Sequence, residues 1–385
     1  MSPTVIIAGA LARRPYIGGH TWLFLQYLLG FKRLGWEVHF VDWVEPGTCV
    51  DAVGRATSFH ASVNLHYTER VMNGFGLEGC WTLVYDGGRE VAGRPREEVV
   101  DLARRSALLL NVMGYLEDED ILSAAPFRVI LDIDPGFGQM WQELGLHALF
   151  RDHERYVTIG ERIGAPDCVI PACGVEWVAT KPLVVLTEWP VSPVANGRFT
   201  SVVSWRGAFG PVEYRGRTYG LRAHEFRRFL ELPSRTSVPL EVALDIDDAD
   251  VADRRRLEEH GWVLADPRVV AGDPWRYRRY VEASSAELMI AKNMYVDTRG
   301  GWFSDRSCCY LASGKPVLAQ DTGLRDPPPG GEGLVIFSTP DEAVAGAQEI
   351  MGNYARHSAA AREIAAEYFA SDRVLRRLLE ALGVP

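Results

Sequence analysis

The sequence contains little cysteine, and the spacing of what is present argues against metal and disulfide sites. Six cysteines occur in 385 residues, at positions 49, 80, 168, 173, 308 and 309. None forms a C-x-x-C pair and two are adjacent, which suits neither a zinc site nor a disulfide framework. We therefore expect reduced thiols, as in a cytoplasmic protein.

Long apolar runs, a signal-peptide pattern and an excess of positive charge are also lacking. No apolar run reaches the ~18 residues that a membrane-spanning helix needs, and the first residues lead directly into a strand pattern. The 41 basic and 51 acidic residues give a formal net charge of −10. This charge argues against an extended nucleic-acid surface, so we expect small-molecule partners.

A dinucleotide fingerprint is missing as well, although strand and helix patterns alternate from the start. The loop after the first strand reads GALARRPYIGGH from Gly9, without G-x-G-x-x-G, which disfavours a nicotinamide cofactor. Continuous apolar runs of strand length are typical of parallel strands buried on both faces. Such runs lie at 4–8, 37–43, 108–113 and 129–134. They predict an α/β fold with a doubly wound sheet.

The chain length predicts two domains, because single cores rarely grow beyond ~250–300 residues. A proline-rich stretch without helical periodicity precedes a second series of strand patterns that begins at residue 199. We predict two Rossmann-like, doubly wound domains. Their bounds are 1–180 for the N-terminal domain, 181–198 for the linker, 199–360 for the C-terminal domain, and 361–385 for a final helix.

The most informative stretch is 296–323, VDTRGGWFSDRSCCYLASGKPVLAQDTG. Gly300 and Gly301 favour a turn, and Ser304 and Asp305 are strong N-cap residue types for the short helix that follows. A glycine-rich turn that enters a helix N-terminus presents unpaired N–H groups and the positive end of the helix dipole, which together bind anions such as diphosphate. The alternative is an ordinary helix–strand connection, which any α/β domain contains.

Residues 301–323, GWFSDRSCCYLASGKPVLAQDTG, resemble the donor segment of GT-B glycosyltransferases. The resemblance implies that the two domains face a cleft and that the final helix, 361–385, could cross back onto the first domain. It also implies a nucleotide-diphosphate sugar as co-substrate, with no other cofactor and no catalytic metal. It also departs from the family, because Cys309 stands where many members have a ribose-binding glutamate. The implied donor-binding residues are Arg206, Gly301, Ser304, Asp305, Arg306, Ser307, Thr322 and Gly323. Arg206 begins a loop, 206–220, that is expected to face the donor. A short strand is expected within 266–270, where the nucleotide base could bind.

Gly18-Gly19-His20 resembles the first loop of some inverting GT-B enzymes, where a glycine pair faces the cleft and a histidine acts as general base. A histidine can remove a proton from an acceptor hydroxyl near neutral pH. The resemblance therefore implies catalysis by His20 and acceptor contacts at Gly18 and Gly19. Alternatively, His20 only caps the helix that follows.

Further candidates follow the strand pattern at 129–134. Asp132 and Asp134 end this strand at the carboxyl edge where open α/β sheets bind ligands, so they could orient a histidine or bind the acceptor. Hydrogen bonds within a turn explain the two aspartates equally well. Trp141 belongs to an aromatic run that could face the acceptor or form helix core.

The leading hypothesis is a hexosyltransferase-type glycosyltransferase that moves a sugar to a hydroxyl or amine of a small molecule, such as a bacterial natural product. Two alternatives remain open. One is a nucleotide-sugar 2-epimerase on the same fold, and the other is a non-catalytic GT-B subunit that binds or activates a partner. The absence of the ribose glutamate gives weight to the second.

Overall fold

An eight-stranded sheet forms the first half of the structure. The structure is a computed structural model that describes residues 2–150, 152–193, 196–207, 209–324, 328 and 330–384. The strands are β1 (Thr4–Gly9), β2 (Glu37–Val44), β3 (Trp81–Tyr85), β4 (Glu90–Gly93), β5 (Leu108–Val112), β6 (Arg128–Asp132), β7 (Arg155–Thr158) and β8 (Trp177–Ala179). Their order is β4-β3-β2-β1-β5-β6-β7-β8, and β4 pairs antiparallel with β3 while the other pairs are parallel. Every position of β1 is buried, as in a strand that helices cover on both faces.

The helices of this lobe connect the parallel strands. They are α1 (Gly18–Arg33), α2 (Val63–Gly74), α3 (Arg96–Arg105), α4 (Glu119–Ala124) and α5 (Phe137–Glu143). The strand order reverses between β1 and β5, so the loops after these strands diverge to opposite faces of the sheet. In open α/β sheets the crevice formed at this reversal is the usual ligand site.

The second lobe contains a six-stranded parallel sheet and a separate hairpin. The sheet strands are β9 (Phe199–Ser204), β12 (Leu240–Asp245), β13 (Val263–Ala265), β14 (Ala286–Met289), β15 (Val317–Gln320) and β16 (Leu334–Phe337), and the hairpin strands are β10 (Val212–Tyr214) and β11 (Arg217–Tyr219). The sheet order is β13-β12-β9-β14-β15-β16, with the reversal between β9 and β14. These two doubly wound sheets confirm the predicted fold class.

The remaining helices cover the second sheet and return to the first lobe. They are α6 (Arg222–Phe226), α7 (Leu232–Arg235), α8 (Val251–Glu259), α9 (Pro267–Val270), α10 (Pro274–Ala283), α11 (Asn293–Thr298), α12 (Asp305–Ala312), α13 (Pro340–Gly352), α14 (Tyr354–Ile364) and α15 (Ser371–Leu382). Helix α15 packs on α1. A Cβ added to Gly30 of α1 would lie only 2.9 Å from the side chain of Leu375 on α15. Among the described residues, no helix combines the length and apolarity needed to cross a bilayer.

One local expectation was wrong, and one segment has more regular structure than a loop. Residues 266–270 form helix α9 instead of a strand, because Asp266 accepts a hydrogen bond from the Arg268 backbone N–H and Pro267 starts the helix. The strand precedes it, as β13. The described part of 206–220 forms the β10–β11 hairpin, which crosses to the first lobe: the Tyr214 hydroxyl donates to Glu143 on α5 at 2.9 Å.

Candidate active site between the two lobes

A cavity of about 970 Å³ separates the two lobes at the carboxyl edges of their sheets. The first lobe contributes the start of α1 and the segment after β6. The second lobe contributes the ends of β9 and β12, helices α9 and α10, and the start of α12. Its volume is within the range of small-molecule sites, ~300–1,000 Å³. The predicted cleft is therefore present between the lobes.

Gly18 and Gly19 line this cavity and also contact the second lobe. The Gly18 N–H donates to the backbone oxygen of Ala271 at 2.9 Å. A Cβ on Gly18 would lie 2.4 Å from the Asp273 carbonyl oxygen, and one on Gly19 would lie 3.0 Å from the Tyr277 ring. The glycine pair is thus required where the backbone of α1 approaches α10 closely.

His20 lines the cavity with a neutral imidazole. Its Nε2 lies 3.0 Å from the carbonyl oxygen of Ala10, which can only accept, so Nε2 carries the proton and Nδ1 keeps its lone pair. Burial lowers the pKa of His20 to about 4, although the hydrogen bond to Ala10 raises it. His20 is therefore unprotonated at neutral pH, which leaves the Nδ1 lone pair available.

Asp132 and Asp134 lie in different surroundings although only one residue separates them. Asp132 is buried outside the cavity walls, where it accepts hydrogen bonds from Gln139 at 2.6 Å and Thr158 at 2.8 Å. Burial raises the pKa of Asp132 to about 6. Asp134 lines the cavity, and its Oδ1 lies 3.2 Å from the ammonium group of Lys292 in the second lobe. Of the two, Asp134 is the one that faces the cleft.

The start of α12 contributes Asp305 and Arg306 to the cavity wall. Asp305 lines the cavity, its carboxylate accepts the backbone N–H of Arg306, and burial raises its pKa to about 6. Arg306 lines the cavity too, forms a buried ion pair with Glu287 and donates to the Val202 oxygen at 3.0 Å. Its Nη2 is buried without a hydrogen-bond partner in the described part of the chain.

The other residues predicted to bind donor or acceptor lie outside the cavity walls. Arg206 is 56% exposed and pairs with Asp250 at 2.6 Å. The buried Ser307 hydroxyl finds no partner among the described residues, and Ser304 caps α12 without a side-chain hydrogen bond. Trp141 packs against Phe137 and Phe209 at ring distances of 5.8 and 5.2 Å.

Gly301, Thr322 and Gly323 hold neighbouring loops together. The Gly301 N–H donates to the Thr322 oxygen at 2.9 Å, and the Thr322 hydroxyl donates to the Trp302 oxygen at 2.5 Å. The Gly323 N–H donates to Asp321 at 2.8 Å. These bonds fix the turn that precedes α12, and Trp302 within that turn lines the cavity.

Sequence reasoning missed the contribution of α9 and α10. Arg268, Asp273, Arg276 and Tyr277 all line the cavity, and the Arg268 guanidinium forms no ion pair with any residue that the structure describes. The Asp-Pro step at 273–274 did indicate a helix start. Nothing in the local pattern showed that this start meets α1. No group of three or more His, Cys, Asp or Glu side chains in the described residues is placed to hold a metal ion.

No protein-family model and no curated protein matches this chain in sequence. Solved structures do match it over almost its whole length. Sucrose-phosphate synthase from Thermosynechococcus elongatus has a TM-score of 0.54 at 12% identity and covers 99% of this chain and 100% of its own. HepE from Anabaena, in complex with UDP and glucose, has a TM-score of 0.58 at 11% identity and covers 99% of each chain.

AviGT4, a glycosyltransferase involved in avilamycin A biosynthesis, is also similar, with a TM-score of 0.55 at 12% identity. The alignment covers 98% of this chain and 96% of AviGT4. At such low identity the similarity shows a shared fold, and the residues of the cavity have to indicate the chemistry.

Proposed function

We propose that this chain, which has the GT-B fold, is a glycosyltransferase that uses a nucleotide-diphosphate sugar. The structural matches show the fold, and the resemblance in residues 301–323 supports the proposed donor site. One observation carries the proposal: His20 and Asp134 of one lobe and Asp305 and Arg306 of the other line the same cavity. A proton acceptor and a candidate anion site therefore face each other across one cleft. HepE, whose structure contains UDP and glucose, supports this donor class.

In the proposed reaction the diphosphate of the donor lies at the start of α12. The Arg306 guanidinium, whose buried Nη2 has no partner among the described residues, and the backbone N–H groups of the helix would stabilise the charge on the leaving group. The Asp305 carboxylate now occupies the Arg306 N–H, so it has to move or take up a proton when the diphosphate binds. No metal ion is assigned a role in this scheme.

His20 is proposed as the general base. As the acceptor oxygen attacks the anomeric carbon, its proton passes to Nδ1 of His20. The bond between the anomeric carbon and the diphosphate oxygen breaks, and the diphosphate leaves with the electron pair. The hydrogen bond from Nε2 to Ala10 holds the ring in the tautomer that this step needs.

The acceptor is proposed to be a small hydroxylated molecule with an apolar body, such as a natural product. Three exposed apolar residues of the first lobe line the cavity: Tyr16 at 45%, Ile17 at 47% and Val53 at 72% exposure. Tyr16 also has a φ of 65°, an uncommon conformation for a residue with a side chain. An apolar acceptor would bury these side chains when it binds.

Product analysis tests the proposal. The protein is incubated with a panel of nucleotide sugars, with and without aromatic alcohols as acceptors, and nucleoside diphosphate and glycoside are quantified. Transfer requires both substrates. A change in the donor sugar without any acceptor would instead identify an epimerase, and nucleotide binding without any product would identify a binding or activating subunit.

A further inference from the structure

The two lobes meet at the carboxylate of Asp134. Its Oδ1 accepts a hydrogen bond from the Lys292 ammonium group at 3.2 Å and another from the Tyr295 hydroxyl. Asp134 follows β6 in the first lobe, whereas Lys292 and Tyr295 lie at the start of α11 in the second. The Lys292 and Tyr295 groups are themselves 3.3 Å apart. A carboxylate of the cleft is therefore held by donors from the opposite lobe.

The backbones at this contact approach each other closely. Gly136 has a φ of 108°, and a Cβ there would lie 2.5 Å from the sulfur of Met294. Only glycine combines this conformation with this proximity. Next to Lys292, the Asn293 side chain accepts the Gly220 N–H at 2.9 Å and so anchors the hairpin that crosses to α5.

The donors to Asp134 are themselves fixed by packing. The Lys292 side chain is 8% exposed, and its nitrogen lies 5.0 Å from the centre of the Phe137 ring. The Tyr295 ring stacks on Trp302, a residue of the cavity wall, at 4.0 Å and 15°. Because a buried ammonium group without its carboxylate is strongly unfavourable, opening the lobes between Lys292 and Asp134 costs free energy.

We propose that Lys292 and Tyr295 are positioning residues that hold Asp134 in its place in the cleft when the lobes are closed. The proposal rests on the proposed function only in that Asp134, a residue of the cavity wall, is taken to bind the acceptor, as expected from its place at the strand end. The contact between the lobes does not depend on that function. This contact couples the position of the Asp134 carboxylate to closure of the lobes, because separation of the lobes would break both of its hydrogen bonds to the second lobe at once.

The test uses Lys292→Met and Tyr295→Phe, which keep most of the side-chain volume and remove the donor. Amide hydrogen exchange without substrate should become faster in 134–143 in both variants. The matched control is Arg227→Met, because Arg227 pairs with Asp253 within the second lobe, and it should leave exchange in 134–143 unchanged.

Kinetics separate positioning from a general loss of structure. Because small displacements of catalytic groups cost about 10²-fold, kcat should fall about 10–100-fold in Lys292→Met, while Kd for UDP stays within about twofold. Lys292→Arg should recover part of the loss.

Unchanged exchange in 134–143 would overturn the inter-lobe contact whatever the activity. Faster exchange with unchanged kcat would overturn the positioning role alone, and an inactive wild type with faster exchange in the variants would contradict the proposed function alone.

Discussion

At the scale of single residues, the environment of His20 defines what this side chain can do. The carbonyl oxygen of Ala10 fixes the tautomer, and burial holds the pKa at about 4. A histidine with the ordinary pKa of ~6.5 would be partly protonated at pH 6. His20 remains a proton acceptor at that pH, which fits a base that faces a hydroxyl group.

Replacement of His20 by alanine should lower kcat by ~10²–10⁴-fold, because general-base catalysis contributes about that much. Kd for nucleoside diphosphate, measured by calorimetry, should remain unchanged. In the wild type, kcat/KM should stay high as the pH falls through 6.5 and decline only as it approaches about 4. A wild-type decline centred on 6.5, or full activity in His20→Ala, would contradict the assignment.

Asp305 is expected to weaken diphosphate binding when it is ionised. Burial raises its pKa to about 6, so it is charged above that pH and neutral below it. Wild-type affinity for nucleoside diphosphate should therefore increase, relative to Asp305→Asn, as the pH is lowered from 8 to 5. The ligand's own protonation is common to both proteins, so calorimetry of the pair isolates Asp305. Parallel pH profiles would place the diphosphate away from α12.

At the scale of secondary-structure elements, the start of α1 is shaped by contact with α10. The indole N–H of Trp22 on α1 donates to the Pro274 oxygen at 2.8 Å, next to the hydrogen bond from Gly18 to Ala271. The glycine pair that the family resemblance linked to the acceptor thus also serves packing between elements. Both roles are compatible, because the same residues line the cavity.

Gly18→Ala should reduce the free energy of unfolding by ~1–3 kcal/mol, the usual cost of an atom forced into a packed interface. The added Cβ would lie 2.4 Å from the Asp273 oxygen and 2.6 Å from the Ala271 oxygen. Urea unfolding measures the change. Gly47→Ala is the control, since a Cβ there meets nothing within 4 Å, and it should stay within ~0.5 kcal/mol of wild type.

At the scale of the whole molecule, the lobes contact each other on both sides of the cavity. On one side α10 packs against α1 and α2, and Trp275 stacks on Phe75 at 5.4 Å. On the other side the β10–β11 hairpin and α11 contact α5 and Asp134. The C-terminal α15 adds a third connection by packing on α1. These contacts hold the two lobes together around the cavity.

Trp275→Ala should open the side of the cleft formed by α2 and α10. The indole fills a space beside Gly74, where a Cβ would lie 2.4 Å from its ring. Small-angle X-ray scattering should show a larger radius of gyration than in Trp177→Ala, in which the lost ring packs on Tyr156 of its own lobe. Equal radii for the two variants would show that this contact does not hold the lobes.

The sequence by itself determined the central strands of the first sheet, the two-sheet fold, which is confirmed, and the helix start at Asp305. These features follow from local patterns: apolar runs such as 4–8, and capping residues beside glycine turns. The strand expected within 266–270 was wrong because β13 ends at Ala265, and the Asp266-Pro267 step starts a helix there.

Only the tertiary structure decided which residues share the cavity. Asp132 and Asp134 have the same residue type at the same strand end, yet one is enclosed by Gln139 and Thr158 and the other reaches Lys292 more than a hundred residues away. Arg206 follows β9 as expected, but its partner Asp250 comes from a different segment. Side-chain partners of this kind depend on how distant elements pack, and no local pattern records that packing.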